Sequence, residues 1–174
     1  MKHYYIGSCL ICGQGMLESV KEDNSNNLCV ECEAEWNSSE DALNEHNCIM
    51  SIYRTDEEGR IFHVRVEELH LTERTERLPH DPRTFDKLED DDAGHLIGDR
   101  FGGSPKLDNL VSQAQKVNRS EYKVIENIWA KALKEGKKVS VNIEVHYADG
   151  GARPTGFTVQ YAIDGLKTEE IIDN

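Results

Sequence analysis

A long amphipathic segment followed directly by two alternating ones sets the tightest limit on what this chain can fold into. Over residues 120–135, Val124, Ile125, Ile128, Trp129, Ala132 and Leu133 recur at three- and four-residue spacing. That spacing gathers them on one face of an α-helix. Gly136 follows as a natural stop. Val139, Val141, Ile143, Val145 and Tyr147 then alternate with polar residues, and so do Phe157, Val159, Tyr161 and Ile163. Alternation is the pattern of a half-buried strand, and residues 149–154, Asp-Gly-Gly-Ala-Arg-Pro, form the hairpin loop between the two. Residues 52–54 and 60–66 flank a second hairpin signal, Asp56-Glu57-Glu58-Gly59. The expected architecture is α+β, an antiparallel sheet packed with helices. Residues 73–92 carry Pro79, Pro82 and many charges without a clean period, and read as a long surface connection.

The charge pattern bears on partners. The formal net charge is −13, which argues against a protein that coats long nucleic acids, because phosphate binding calls for cations. The balance tips positive between residues 100 and 153, where Lys106, Lys116, Arg119, Lys123, Lys131, Lys134, Lys137 and Lys138 lie, and the local field matters more at a site than the total. No apolar run approaches membrane-spanning length, and Met1-Lys2-His3-Tyr4-Tyr5 lacks the apolar core of a signal peptide. The expectation is a chain made in the cytosol, compatible with export by a route that uses no cleaved signal.

All five cysteines fall in the first 48 residues. Cys9-Leu10-Ile11-Cys12 and Cys29-Val30-Glu31-Cys32 are two Cys-x-x-Cys knuckles, and thiolate pairs at this spacing can turn onto one tetrahedral Zn²⁺. Two disulfides or unrelated buried thiols are the alternatives; a reducing compartment favours zinc. Such a closed four-sulfur site would be structural, holding a ribbon too small for its own core. The expected division is a zinc-ribbon-like segment over 1–48 and a second domain over 49–174. Cys48 is left over as a simple thiol.

The candidate chemistry lies in the second domain. Asp92-Ala93-Gly94-His95 places a histidine at the end of a strand-like segment. A histidine alone is more often structural, but its company downstream changes the weight. Asn109 and Gln113 put two amides four residues apart, Asn118 stands at the mouth of the long helix, and Glu126 lies two turns into it. Taken singly, Asn118 reads as a helix cap and Glu126 as a solvated carboxylate.

In order and spacing this set resembles the DNA/RNA non-specific endonucleases of the ββα-metal, D-x-G-H type, most closely the bacterial subgroup of secreted nucleases and toxin domains. The similarity covers residues 50–174 and includes Tyr53-Arg54-Thr55-Asp56, Gly59-Arg60-Ile61, residues 92–103, Asn109 with Gln113, Asn118 to Tyr122, Glu126 to Trp129, and Arg153-Pro154. The resemblance implies that His95 is the general base, that Asn118 is the one direct protein ligand of a hydrated Mg²⁺, and that Glu126 holds the metal's waters. It groups Asn109 with these as a bracing amide, as it does Gln113, and makes Asp92 structural. It also implies DNA and RNA as substrates and leaves room for a cognate immunity protein. The family motif often carries Arg where this chain has Ala93, so phosphate contact must come from elsewhere. Arg100, Arg119, Arg153 and Arg60 are the cationic candidates, and Gln113 is grouped with them as a substrate contact. The competing reading is a zinc-ribbon binding or regulatory protein whose nuclease-like domain is catalytically weak. The discriminating feature is whether His95 and Asn118 converge on a common metal-sized space.

Overall fold

The computed structural model describes residues 4–8, 15–19, 51–72 and 82–174. The five cysteines, and with them the expected four-cysteine zinc site, lie outside the described residues. Nine strands are described: β1 (Tyr4–Ser8), β2 (Gly15–Ser19), β3 (Ser51–Thr55), β4 (Ile61–Val66), β5 (Asp91–His95), β6 (Leu110–Ala114), β7 (Val139–Tyr147), β8 (Pro154–Ile163) and β9 (Leu166–Asp173). Seven of them form an antiparallel sheet in the order β2-β1-β3-β4-β7-β8-β9, while β5 and β6 pair only with each other. The antiparallel β1–β2 pair joins the large sheet through β1 against β3, with Ile6 opposite Tyr53.

The two expected hairpins form as their turn residues dictate. Gly59 takes φ +80°, a conformation that costs glycine little, and Asp56 caps the turn by accepting the backbone N–H groups of Glu58 and Arg60. The alternating residues of β7 and β8 turn one face inward: Val141, Ile143, Val145, Phe157 and Val159 are buried. Against this face lies helix α1 (Tyr122–Lys134). Trp129 is wholly buried and meets both Phe101 and Tyr161 edge-on at 5.9 Å, and Tyr122 meets Phe157 at 5.8 Å. Such aromatic contacts add to simple area burial.

The helix departs from the expected stripe in one respect. Val124 and Ile128 are 56 % and 39 % exposed, while Tyr122, Ile125, Trp129, Ala130 and Ala132 are buried. The packed face is rotated toward Tyr122 and Ala130, leaving Val124 and Ile128 on its flank. The helical stretch also begins earlier, near residue 115, and passes through a π-turn at Val117–Glu121 before α1. Asn118 therefore sits inside a helical turn, and among the described residues no side chain caps the start of either segment. A wide turn of this kind rotates its side chains relative to an ordinary helix and is frequent at functional sites.

Candidate functional site

The small β5–β6 sheet carries the Asp92–His95 motif, and its sequence explains how. Asp-Asp-Ala-Gly-His is a poor strand former by propensity. It is held by five register pairs with β6, from Asp91 opposite Ala114 to His95 opposite Leu110, and by ion pairs from both aspartates. Gly94 is required by close approach: a β-carbon there would overlap the Gln113 carboxamide lying across it.

Immediately after His95 the chain is pinned from beneath by Asn109. Its Oδ1 accepts the Ile97 N–H (2.9 Å) and the Tyr53 hydroxyl (3.0 Å), and its Nδ2 donates to the carbonyls of Ile97 (2.8 Å) and Ser104 (2.9 Å). The Tyr122 hydroxyl donates to the Leu96 carbonyl at 3.0 Å. The main chain on either side of the 95–97 turn is thus tied to β3, β6 and α1 together. Preorganisation of this kind keeps a functional side chain in one geometry.

Above the turn opens a cleft of about 620 Å³ lined by Thr72, His95, Gly98, Asp99, Arg100, Asn118, Arg119, Tyr122, Lys123 and Glu126. Asn118, Tyr122 and Glu126 recur every four residues and so share one helix face; His95 lines the same cleft from the end of β5. Three of the four residues expected to form the catalytic set therefore line one space. Asn109, grouped with them, is wholly buried and belongs beneath the site.

Asp92 orients Asn118. Its Oδ2 accepts the Asn118 amide Nδ2 at 2.9 Å, while Arg119 binds both carboxylate oxygens at 2.8 and 2.7 Å. An ionised carboxylate only accepts hydrogen bonds, so it selects the nitrogen end of the amide and leaves Asn118 Oδ1 as the end available to the cleft. The Arg119 hydrogen bonds hold the Asp92 carboxyl below the ordinary carboxylate range against the opposing effect of burial, and the Asn118 amide adds to this. Glu126 is positioned by a different device. Arg100 donates to Asn127 Oδ1 at 2.9 Å and lies 3.6 Å from the Glu126 carboxylate. A β-carbon at Gly98 would overlap Glu126 Oε1, so the bare glycine makes room for this carboxylate at the cleft.

Gly98 has φ −62° and ψ 151°, backbone that alanine adopts without strain. Gly98→Ala should therefore keep the fold and displace only the flexible Glu126 head. The expected result is a loss of cleavage rate of about tenfold to a hundredfold, the scale on which small misplacements of catalytic groups cost activity, with an unfolding midpoint close to that of the parent. Wild-type turnover in this variant would remove Glu126 from the working site.

Three expected substrate contacts are corrected. Gln113 is 0 % exposed, so it cannot touch a polymer. Arg153 does not line the cleft; its guanidinium binds both oxygens of the buried Asp91 at 2.7 and 2.8 Å. Arg60 is held by Asp56 and the Gly151 carbonyl and stacks over the Tyr147 ring. Arg100 and Arg119 do line the cleft; Arg119 is hydrogen-bonded to both Asp92 oxygens, and Arg100 is paired with Glu126 at 3.6 Å. The cleft residues that sequence reading passed over are Thr72, Gly98, Asp99, Tyr122 and Lys123. Gly98, Asp99 and Tyr122 were within reach, since they lie in the 92–103 and Asn118-to-Tyr122 motifs. Thr72 was not, because its place follows from backbone pairing with Arg100 (2.9 Å) rather than from any local pattern.

Among the described residues, no group of three or more His, Cys, Asp or Glu side chains could hold a metal ion. A hydrated Mg²⁺ held directly by one amide oxygen needs no such group, since Mg²⁺ keeps several of its waters. The donor chemistry here, Asn118 Oδ1 with the Glu126 carboxylate lining the same cleft, fits that case.

Residues 37–165 match the sequence profile described as DNA/RNA non-specific endonuclease. The chain is 43 % identical over 123 residues to the type VII secretion system protein EssD of Staphylococcus aureus (strain USA300), covering 66 % of this chain and 20 % of EssD. It is 32 % identical over 65 residues to the probable deoxyribonuclease RhsA of Dickeya dadantii, covering 37 % of this chain and 4 % of RhsA. The chain thus spans a fifth or less of the length of these curated relatives. In three dimensions it is similar to the crystal structure of NucA from Streptococcus agalactiae with no metal bound, with a TM-score of 0.54 and 16 % identity, over 87 % of this chain and 92 % of that one. At that identity the likeness is one of fold.

Proposed function

The chain belongs to the DNA/RNA non-specific endonuclease family, and from that premise we propose that it hydrolyses phosphodiester bonds of DNA and RNA without sequence preference, with Mg²⁺ as cofactor. The observation that carries the proposal is the convergence of His95, Asn118 and Glu126 on one cleft. In this reading the His95 imidazole takes the proton of an attacking water, the general-base role that histidine side chains most often fill. Asn118 Oδ1 and Glu126 would hold the ion, Asn118 directly and Glu126 through its waters. When bound, the ion supplies positive charge against the phosphate oxygens. Asp92 and Arg119 fix the Asn118 amide, and Asn109 fixes the turn behind His95.

Two other titratable groups near His95 are poorer bases. Burial raises the Tyr122 phenol well above its ordinary range, and its hydroxyl is engaged with the Leu96 carbonyl. Asp92 is held as a weak base by Arg119. Sequence nonspecificity follows if contacts go to phosphate and sugar rather than base edges. The convergence supports an active enzyme over a regulatory protein with a weakened site. The experiment is cleavage of supercoiled plasmid and of RNA by the purified chain with Mg²⁺. Nicking and RNA loss that EDTA abolishes are expected, and two intact substrates would overturn the proposal.

The name of the Staphylococcus relative supports a secreted effector, with a cognate immunity protein as partner; growth arrest on cytosolic expression without an inhibitor would test this. No helix among the described residues is long and apolar enough to cross a membrane. The structural Zn²⁺ on Cys9, Cys12, Cys29 and Cys32 rests on their spacing, and the zinc content of the purified protein decides it.

A further inference from the structure

We infer that Lys123 supplies the phosphate contact that Ala93 cannot. This rests on the nuclease reading of the same cleft. Three cationic side chains line that space, Arg100, Arg119 and Lys123. Arg119 is bound through both nitrogens it presents to Asp92, and Arg100 lies between Asn127 and Glu126. A phosphate drawn to either guanidinium competes with a carboxylate already there. Lys123 forms no ion pair among the described residues, and its side chain is exposed. It stands four residues after Arg119 and three before Glu126, so it occupies the helix surface between them. Ala93, where the related motif often has arginine, is buried in the β5–β6 ladder opposite Ser112 and offers no charge.

A lysine suits the task. Its ammonium is a compact point charge on a flexible stem, able to follow a backbone phosphate without demanding the fixed fork that arginine imposes. A contact of this kind is blind to base sequence. It also places the working cation within the locally basic stretch of an otherwise acidic chain, where a local field can draw in substrate despite the net charge of −13.

The test compares wild type, Lys123→Ala, Lys123→Arg and Lys134→Ala, the last an exposed lysine in the final turn of α1 and outside the cleft. Cleavage of a short duplex oligonucleotide in Mg²⁺ is followed from 50 to 200 mM salt, and binding of the labelled duplex is measured in EDTA. Lys123→Ala is expected to raise KM and weaken binding by about threefold to tenfold, with kcat little changed, and to flatten the dependence of log affinity on log salt by about one. Lys123→Arg should restore most of the loss, and Lys134→Ala should match wild type. Equal duplex binding and salt slope in wild type and Lys123→Ala would overturn the inference, whether or not the wild type cuts. A wild type that binds through Lys123 yet leaves the duplex intact would uphold this contact and sink the nuclease reading instead.

Discussion

His95→Ala is expected to lower plasmid nicking in Mg²⁺ by about a thousandfold, the middle of the range for removing a general base. On the rate scale this is roughly 4 kcal/mol of lost transition-state stabilisation. The effect should be on kcat, because the cations and the helix face that would hold the polymer are untouched. His95 ends β5 and is 8 % exposed, so alanine also leaves some space behind. His95→Gln, which fills more of it without a basic nitrogen, separates the two effects. Both variants should be equally inactive, with far-UV circular dichroism and duplex binding like the parent's. If His95→Gln cuts at the wild-type rate, the base lies elsewhere.

The parts of this molecule that were legible in its sequence are those with a repeating burial period. Helix α1 and strands β7 and β8 have one face against the core and one against solvent, and their apolar residues recur accordingly. Strand β9 has no such signature. Only Ile172 of its eight residues is buried, because it is an edge strand whose neighbour β8 supplies the pairing, and Asp164, Glu169, Glu170 and Asp173 break any alternation over residues 164–173. Strand β5 is hidden for the opposite reason. Its apolar content is a single alanine, and it exists because β6 pairs with it and two arginines neutralise its aspartates. The order of His95, Asn109, Asn118 and Glu126 was readable, while the identity of the available cation was not. Arginine and lysine count alike along a chain, and only the folded geometry shows which guanidinium already holds a carboxylate. Asn118 illustrates the same limit. Its place before an apolar stripe suggested a cap, whereas the helical turns start earlier and its amide faces Asp92.

The larger stability effect is expected from Arg153, the residue that moved from candidate substrate contact to structural tie. Its guanidinium joins the loop before β8 of the large sheet to Asp91 of β5, and it also donates to the carbonyls of Pro154 and Asn174. Asn174 works alongside it, accepting the Ala114 N–H and donating to the carbonyls of Ser112 and Pro154. No ladder among the described strands connects the two sheets, so these bonds join core packing of Val111 and the Tyr53–Asn109 bond in holding the small sheet on the large one. The Asp91 side chain is 2 % exposed and that of Arg153 19 %. Removing the arginine therefore strands a buried carboxylate, a change that costs about 3–5 kcal/mol in comparable cases. The hydrogen bonds from Arg153 hold the Asp91 carboxyl below its ordinary value, against burial, with the Leu88 N–H helping. A depressed folded value means the unfolded chain binds the proton first. The pair's contribution is thus full above the ordinary carboxylate value of 3.8 and is lost as pH falls through the lower, folded value. In Arg153→Ala most of this downward pull is gone and burial, opposed mainly by the Leu88 N–H, favours the protonated acid. Urea unfolding from pH 3 to 7 should show wild-type stability rising with pH and the variant's deficit widening over the same range. Asp91→Asn in the Arg153→Ala background should recover part of the loss at pH 7 by removing the stranded charge. A deficit in Arg153→Ala that stays the same at every pH would assign the loss to the hydrogen bonds with Pro154 and Asn174, and not to the ion pair with Asp91.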